Sequence, residues 1–240
     1  MPILKNVRSW VGGYDLTTDL NQVGLDLDHE VQDDTRFQPV GSGGARARVC
    51  GLEDVSASFT GFHAAPVDAN AFAGWNGGLD EPWTIANDGV EGNAAYIMRG
   101  GRFKYTLGDQ VGNNHKISLD VKGMNGETAV ARGLVTKTVG TVAATGATGT
   151  GVQLGAVGAG QYLYCALHVF SVGTTITAVL ESAPTNAFGA NTTRITFGPI
   201  TTVGGVWGAR VAGPITDTWY RLRVTAVTGS FSIAAVPAIK

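Results

Sequence analysis

The chain has 240 residues and a formal net charge of −2, and only 15% of its residues are charged. A net charge this close to zero excludes a basic protein that holds nucleic acid through many phosphate contacts. Glycine contributes 35 residues and threonine is frequent. Such a composition fits β-structure whose uncharged surface is shared with neighbouring molecules, and it fits a turn-rich β-sandwich equally well.

The charge is unevenly distributed along the chain. Up to Thr138 there are 12 Lys and Arg against 17 Asp and Glu, whereas from Val139 onward there are 5 against 2. An acidic half and a mildly basic half would suit head-to-tail contacts between identical subunits, although solvated loops would give the same distribution.

The two cysteines, Cys50 and Cys165, lie among apolar neighbours. Both are therefore predicted to be buried small hydrophobes rather than partners in a disulfide framework. The first five residues lack the apolar core of a signal peptide, and no segment reaches the ~20 apolar residues of a membrane span. We expect a soluble protein that is made in a cytoplasm and has no membrane partner.

Strand patterns dominate from residue 94 onward. Ile117, Leu119 and Val121 alternate with polar residues, as expected for a strand with one buried face. The stretch from Gly160 to Val172 is apolar at both sets of alternating positions, which predicts a strand covered on both sides. Further strands are expected near residues 94–107, 128–137, 174–182, 192–199, 220–226 and 230–237.

A single segment has the features of a helix. Pro66 would occupy the first turn, Phe72 and Trp75 are three residues apart, and the pair Gly77-Gly78 would end the helix.

The segment 139–160 is rich in Gly, Ala and Thr, and no Asp, Glu, Lys or Arg occurs between Thr138 and Leu180. Two interpretations remain open. The segment could be a flexible linker that joins two β units, 1–138 and 161–240. Alternatively, it could be a long hairpin or loop packed against a neighbouring subunit, where a charge would be costly to bury.

No catalytic or cofactor-binding pattern is present. The four histidines form no metal-binding pair, and neither a nucleophile elbow nor a phosphate-binding loop occurs. His168 is predicted to be a core histidine, and His29 to be solvated. Asp26, Asp28 and Glu30 alternate like calcium ligands, but a calcium loop needs glycine where Val31 stands. A solvated or interface loop is the expectation, with no enzyme activity, no cofactor and no metal.

The five tryptophans are dispersed along the chain. A carbohydrate-binding β-sandwich would need two or three aromatic side chains on one exposed face, and Trp207 and Trp219 could serve. Tryptophans at such positions more often anchor a core or an interface.

The order of several segments resembles the tail tube (major tail) proteins of long-tailed, non-contractile bacteriophages. A Tyr14-Asp15-Leu16 start leads through an acidic stretch to Asp33–Phe37, and then to the apolar Cys50–Phe62. Downstream, the resemblance continues through Tyr162–Phe170, Thr192–Phe197 and Asp217–Arg223. It implies a mainly β, tail-tube-like barrel or sandwich over residues 1–240, with one short flanking helix and a β-rich C-terminal extension.

The resemblance also implies a function. The chain would be a structural virion protein whose rings, hexameric in this family, stack into the tail tube through which DNA is ejected. Its partners would be copies of itself and the tape measure, terminator and baseplate proteins, with double-stranded DNA passing through without specific binding. It would be made in the host bacterial cytoplasm and end up in the virion tail.

Candidate interface residues follow from this interpretation. The N-terminal region and the long loop around residues 33–48 would supply contacts between rings and subunits, and the lumen should be net acidic or neutral, with Asp120 as a candidate lumen residue. Two other functions are kept as alternatives: a carbohydrate-binding β-sandwich module, and a terminator or baseplate ring that does not stack. The candidate contact residues are Asp26, Asp28, Glu30, Asp33, Asp34, Arg36, Arg46 and Arg48.

Overall fold

A computed structural model describes residues 6–33, 48–78, 80–108, 110, 113–124, 126 and 129–240. These residues are mainly β, as predicted, with antiparallel sheets and one helix among them. No helix in the described ranges has the length and apolar character needed to cross a membrane. The elements are β1 (Arg8–Val11), β2 (Tyr14–Asp15), β3 (Leu20–Asp33), β4 (Arg48–Phe62), α1 (Ala65–Gly77), β5 (Glu81–Ala86), β6 (Ala94–Leu107), β7 (Lys116–Gly123), β8 (Ala131–Leu134), β9 (Lys137–Val142), β10 (Gly146–Gln153), β11 (Tyr162–Ser171), β12 (Thr175–Ala183), β13 (Thr192–Ile200), β14 (Gly204–Trp207), β15 (Val211–Ala212), β16 (Trp219–Thr228) and β17 (Phe231–Ile239).

Most strands belong to one 13-stranded sheet. Its main path runs β14-β11-β17-β8-β6-β5-β1-β2, and β6 also pairs with β7, which leads through β4 to β3. The sheet curls, so that β11 approaches β5 and β2 from the other end of the path. No barrel closes within the described part of one copy.

The C-terminal half forms a β-sandwich. A second, four-stranded sheet with the order β10-β16-β12-β13 packs against β11, β17 and β9 of the large sheet. The sandwich core between them is aliphatic and aromatic, with Leu167, Leu222 and Phe231 at 0–1% exposure. Because each strand alternates inward and outward residues, the polar side chains of β16 remain outside this core.

The curled sheet encloses a second core, here called the central core. Trp10 and Ile97 on one side meet Tyr164, Ala166 and Val236 on the other. The odd-numbered residues of β11 thus face the sandwich core and the even-numbered ones face the central core. The prediction that the strand within 160–172 is buried on both faces is confirmed.

The third core, here called the N-terminal core, is formed by residues of β1, β3, β4, β5, β6 and β7. Phe59, Trp83 and Leu119 fill it, and Ala71 of α1 covers it. The helix predicted around Pro66 and Trp75 is confirmed, and it ends at Gly78 in the left-handed conformation (φ 58°).

The described residues differ from the expected loop around Asp26–Glu30, and they do not support one of the two interpretations left open for 139–160. The acidic segment around Asp26–Glu30, expected to be a loop, is strand β3, because a strand exposed on both faces can carry polar residues throughout. The segment 139–160 contains β9 and β10, which pair with β17 and β16. These residues are therefore not a structureless linker, since their threonines and valines take places in two different sheets.

Candidate assembly surface

Strands β3, β4, β7 and the second half of β6 form a four-stranded antiparallel region. One line of paired residues crosses it from Val23 through Phe59 and Leu119 to Tyr105. At one side β3 pairs only with β4 among the described residues. At the other side β6 pairs with β5 only as far as Gly100, so residues 101–107 have no second strand partner among the described residues. The region therefore ends in two open strand edges.

The two faces of this region differ in polarity. The first face packs on the N-terminal core through Val55, Ala57, Ile117 and Val121. By register, up to the shift between His29 and Val31, the opposite face presents serine and threonine together with seven charged side chains. Four are acidic and three are basic, so this face carries a formal charge of −1; they are Asp26, Asp28, Asp54, Asp120, Lys104, Lys116 and Lys122.

Asp120, predicted to line the lumen, lies on this polar face. Its carboxylate is 3.7 Å from the Lys104 ammonium, and both side chains are well exposed. Screening by solvent makes such a pair worth little for stability, about 0–1 kcal/mol. Its position on the polar face is therefore more informative about function than about folding.

The β3–β4 hairpin projects beyond the end of β7, which covers β4 only from Ser56 to Phe62. On the projecting part Leu52 is 81% exposed and Val31 is 64% exposed, and Leu27 and Val49 are also exposed. Large apolar side chains exposed close together are typical of surfaces that take part in contacts between molecules.

Five of the eight predicted contact residues lie on this hairpin. Asp26, Asp28, Glu30 and Asp33 are on β3, and Arg48 pairs with Asp33 at the outer end of the ladder. The other three, Asp34, Arg36 and Arg46, lie outside the described residues. The acidic side chains of β3 give its edge a negative charge that no basic residue of β3 offsets.

The second open edge, at residues 101–107 of β6, is basic and aromatic. Lys104 is exposed on β6, and Phe103 and Leu107 are exposed beside it. Phe72 and Trp75 of α1 extend this patch: their rings are 5.8 Å apart, and Phe72 meets Tyr105 edge to face at 6.0 Å. The sequence signal for this patch was the aromatic pair three residues apart in a helix that covers a sheet.

Buried polar contacts hold the helix against this edge. The Arg102 guanidinium, with a side chain 1% exposed, donates to the Asn70 side-chain oxygen and to Glu81 Oε2, both at 3.0 Å. The Tyr105 hydroxyl donates to the Asp68 carboxylate. Burial, together with this hydrogen bond, raises the pKa of Tyr105 to about 12. The aromatic pair of α1 is thus presented by a fixed helix.

His168 joins the two ends of the curled sheet. Its Nδ1–H donates to the Gly12 carbonyl at 2.9 Å, and its Nε2 accepts from the Thr84 hydroxyl at 2.8 Å. The ring is fully buried, and burial lowers its pKa to about 4. The prediction of a core histidine is confirmed, and both ring nitrogens are occupied by structural partners.

The two cysteines and the two candidate tryptophans lie in different environments. Cys165 is buried as predicted, but Cys50 is exposed, because it lies on the projecting hairpin, where β4 has no partner besides β3 in the described part of the chain. Trp207 belongs to the large sheet and packs beside Tyr164 with ring centroids 5.9 Å apart, whereas Trp219 belongs to the four-stranded sheet. The two tryptophans therefore do not form a shared aromatic platform.

The acidic residues form no metal site in the part of the chain that the structure describes. No group of three or more His, Cys, Asp or Glu side chains there could hold a metal ion. On β3 the carboxylates are spread along an extended strand, which separates them.

No protein-family model matches this sequence, and no curated protein matches it significantly. Solved structures of similar fold come from phage tails and related particles. A chain of the virion of a native gene transfer agent is 15% identical, with 52% of this chain and 95% of that chain covered and a TM-score of 0.43. A chain of the SPP1 tail tube is 15% identical, with 50% of this chain and 74% of that chain covered and a TM-score of 0.39. SPP1 Dit, a protein of a hub adsorption apparatus, is 14% identical, with 97% of this chain and 99% of that chain covered and a TM-score of 0.36.

Proposed function

We propose that this protein is a structural subunit of a phage tail, and specifically that its copies form rings that stack into a tail tube. The observation that carries the proposal is the pair of open edges on one four-stranded region. An unpaired edge is a template for strand addition, and proteins that keep one exposed use it or protect it. Here neither edge is blocked by proline among the described residues.

The two edges are complementary rather than identical. The β3 edge carries Asp26, Asp28 and Glu30, and the β6 edge carries Lys104 with the β7 lysines behind it. Pairing β3 of one copy with β6 of the next is antiparallel, because strand directions alternate across the region. Such a head-to-tail contact repeats until the ring closes, and we propose a hexamer.

In this ring the polar face becomes the lumen. Asp120 and Lys104 would face the bore, and the seven charged residues there amount to −1 per copy. A bore of this kind would not hold the phosphates of passing DNA, whereas a basic one would bind them. A strongly positive bore in a reconstruction of the assembled particle would contradict this part of the proposal.

The projecting β3–β4 hairpin is proposed to contact the next ring. Its exposed Leu52 and Val31 would be buried there, with the acidic residues of β3 at the rim of the contact. The C-terminal sandwich would lie outside the bore, because none of the strands that form its core belongs to the four-stranded region.

The test is negative-stain electron microscopy of the purified protein, combined with light scattering. Tubes or stacked rings with a central hole are the expected result. Rings that do not stack would indicate a terminator or baseplate component instead. A monomer that binds glycans, with binding lost on changing Trp207 or Trp219, would indicate the carbohydrate-binding alternative and overturn the proposal.

A further inference from the structure

An open groove of about 490 Å³ lies beside the first residues of β3. One wall is the segment Asn6–Ser9 that leads into β1, and the other is Leu20–Val23. Val7, Leu20 and Val23 are partly buried against the N-terminal core and give the groove an apolar base. Asn21 and Gln22 are exposed at its rim. The groove therefore offers an apolar base and a polar rim next to an open strand edge.

The aromatic pair Phe72 and Trp75 is the matching projection at the opposite edge. The two side chains are 50% and 45% exposed although they are large and apolar. The contacts of Arg102 with Asn70 and of Tyr105 with Asp68 fix the helix that carries them. A rigid aromatic pair loses little conformational entropy when a partner covers it, which makes it a suitable anchor.

The register of the sheet places groove and projection at the same level. Val23, Phe59, Leu119 and Tyr105 lie on one line across the four strands, and all four side chains are on the N-terminal core side. Val23 is in the groove at one end of this line, and Phe72 packs on Tyr105 at the other.

We propose that Phe72 and Trp75 of one copy dock into the groove between Asn6–Ser9 and Leu20–Val23 of the next copy. This inference rests on the head-to-tail ring proposed above. When the β6 edge of one copy pairs with the β3 edge of the next, Tyr105 and Phe72 come beside the neighbour's Val23. The two aromatic residues are separated by about one helical turn, roughly 5 Å, which covers a stagger of one or two strand residues.

The charges of the two strand edges favour a second copy as the occupant. The projection lies beside Lys104. The groove is lined by the exposed Arg8, and the strand that forms its other wall carries Asp26 a few positions further on. The same docking therefore brings a basic edge to an acidic edge, and docking two like edges would oppose equal charges. The aromatic contact would fix the angle between neighbouring copies, which strand pairing alone leaves free to twist.

The test is cross-linking between two single-cysteine variants in a Cys50→Ser background, in which the remaining Cys165 is buried. One variant carries Phe72→Cys and the other Asn21→Cys, and both positions are exposed. Mild oxidation of the mixture should give a disulfide-linked dimer containing one copy of each variant. The double variant should give a ladder of linked copies that stops at the number of subunits in the ring.

Thr225→Cys is the control for Phe72→Cys, because Thr225 is exposed and lies on β16, outside the four-stranded region that ends in the two open edges. The Phe72→Cys and Asn21→Cys mixture should link at least about tenfold faster than the control mixture, since docking raises the effective concentration of the two thiols. Trp75→Cys serves as a second probe of the same projection.

The outcomes separate this inference from the proposed function. Rings or tubes that form while neither the Phe72→Cys nor the Trp75→Cys variant links preferentially to the Asn21→Cys variant would overturn the docking and leave the ring proposal standing. Links formed mainly between two Phe72→Cys copies would indicate a two-fold contact and overturn both. The absence of assembly and of mixed links would also overturn both.

Discussion

The β11–β17 pair and the β3–β4 hairpin are both long antiparallel ladders, yet they have opposite surroundings. β11 and β17 are buried on both faces, between the sandwich core and the central core. The outer half of β3–β4 is exposed on both faces, and its Leu52 and Val31 side chains are in contact with solvent. The first ladder gains its stability within one copy, whereas the second has apolar and charged groups that the described part of the same copy leaves uncovered.

The difference teaches where substitutions should affect folding and where they should affect assembly. Core strands lose transfer free energy and leave a cavity when truncated. An exposed strand edge contributes little to the folded monomer, but it determines which strand can pair with it. The predictions below test this division, beginning with the largest expected effect.

The first prediction compares one leucine from each region. Leu222→Ala in the fully buried sandwich core should lower the free energy of unfolding by about 2–5 kcal/mol. Leu52→Ala on the hairpin should change it by less than about 0.5 kcal/mol, because the side chain is already exposed. Urea denaturation of both variants as monomers measures the two values. Equal losses in the two variants would show that the hairpin is packed within one copy.

The second prediction concerns acid. His168 has an ordinary pKa of 6.5 and a folded pKa of about 4, so the fold favours the neutral ring. Its contribution is complete above pH 6.5 and is lost as the pH falls toward 4, about 3 kcal/mol in total at about 1.4 kcal/mol per pKa unit. His168→Gln should flatten the pH dependence of unfolding between pH 6.5 and 4.

The matched control for this substitution is His115→Gln, at an exposed position. It removes a histidine without touching the buried contacts of His168, so its curve is the reference for the His168→Gln curve. If His168→Gln and His115→Gln give the same curve, the histidine does not link the two ends of the curled sheet in the way the geometry indicates.

The third prediction tests the pairing of the two open edges. Lys104→Glu should weaken assembly by about 1 kcal/mol per contact or less, since it opposes like charges across an exposed contact. Asp26→Lys should do the same, and the two changes in one chain should restore assembly in part. Light scattering as a function of protein concentration measures this. If the double variant loses more assembly free energy than the two single variants lose together, the proposed pairing is contradicted.

The fourth prediction involves the smallest perturbation. In the monomer a thiol reagent should label Cys50 and leave Cys165 unmodified, because Cys165 is buried and burial raises its pKa. In tubes the labelling of Cys50 should slow, because the hairpin that carries it would be covered. Mass spectrometry of labelled monomer and assembled protein gives both rates. Unchanged labelling after assembly would place the hairpin outside the contacts.

Local patterns in the sequence predicted the regular parts of the fold well. The alternation of Ile117, Leu119 and Val121 marked β7, and the doubly apolar stretch before Val172 marked β11 as covered on both sides. The helix followed from Pro66 and the glycine pair after Trp75. These signals are local, because each depends on which face of one element is buried.

The errors have a common physical cause. Cys50 has apolar sequence neighbours but is exposed, and the acidic β3 was expected to be a loop. The exposure of Cys50 and the conformation of the acidic segment both depend on which strands pair with the hairpin. That pairing involves residues far away in the sequence. The strands within 139–160 were missed for the same reason, since β9 and β10 are formed by pairing with β17 and β16 at the far end of the chain.

The sequence by itself determined a mainly β chain with few charges, an acidic first half and a core strand within 160–172, because composition and residue alternation set these properties locally. Only the tertiary structure decided that β3 and β6 end the same four-stranded region with open edges of opposite charge, and that Asp120 lies on its polar face. Strand order and register arise from pairing between residues far apart in the chain, and no local pattern encodes them.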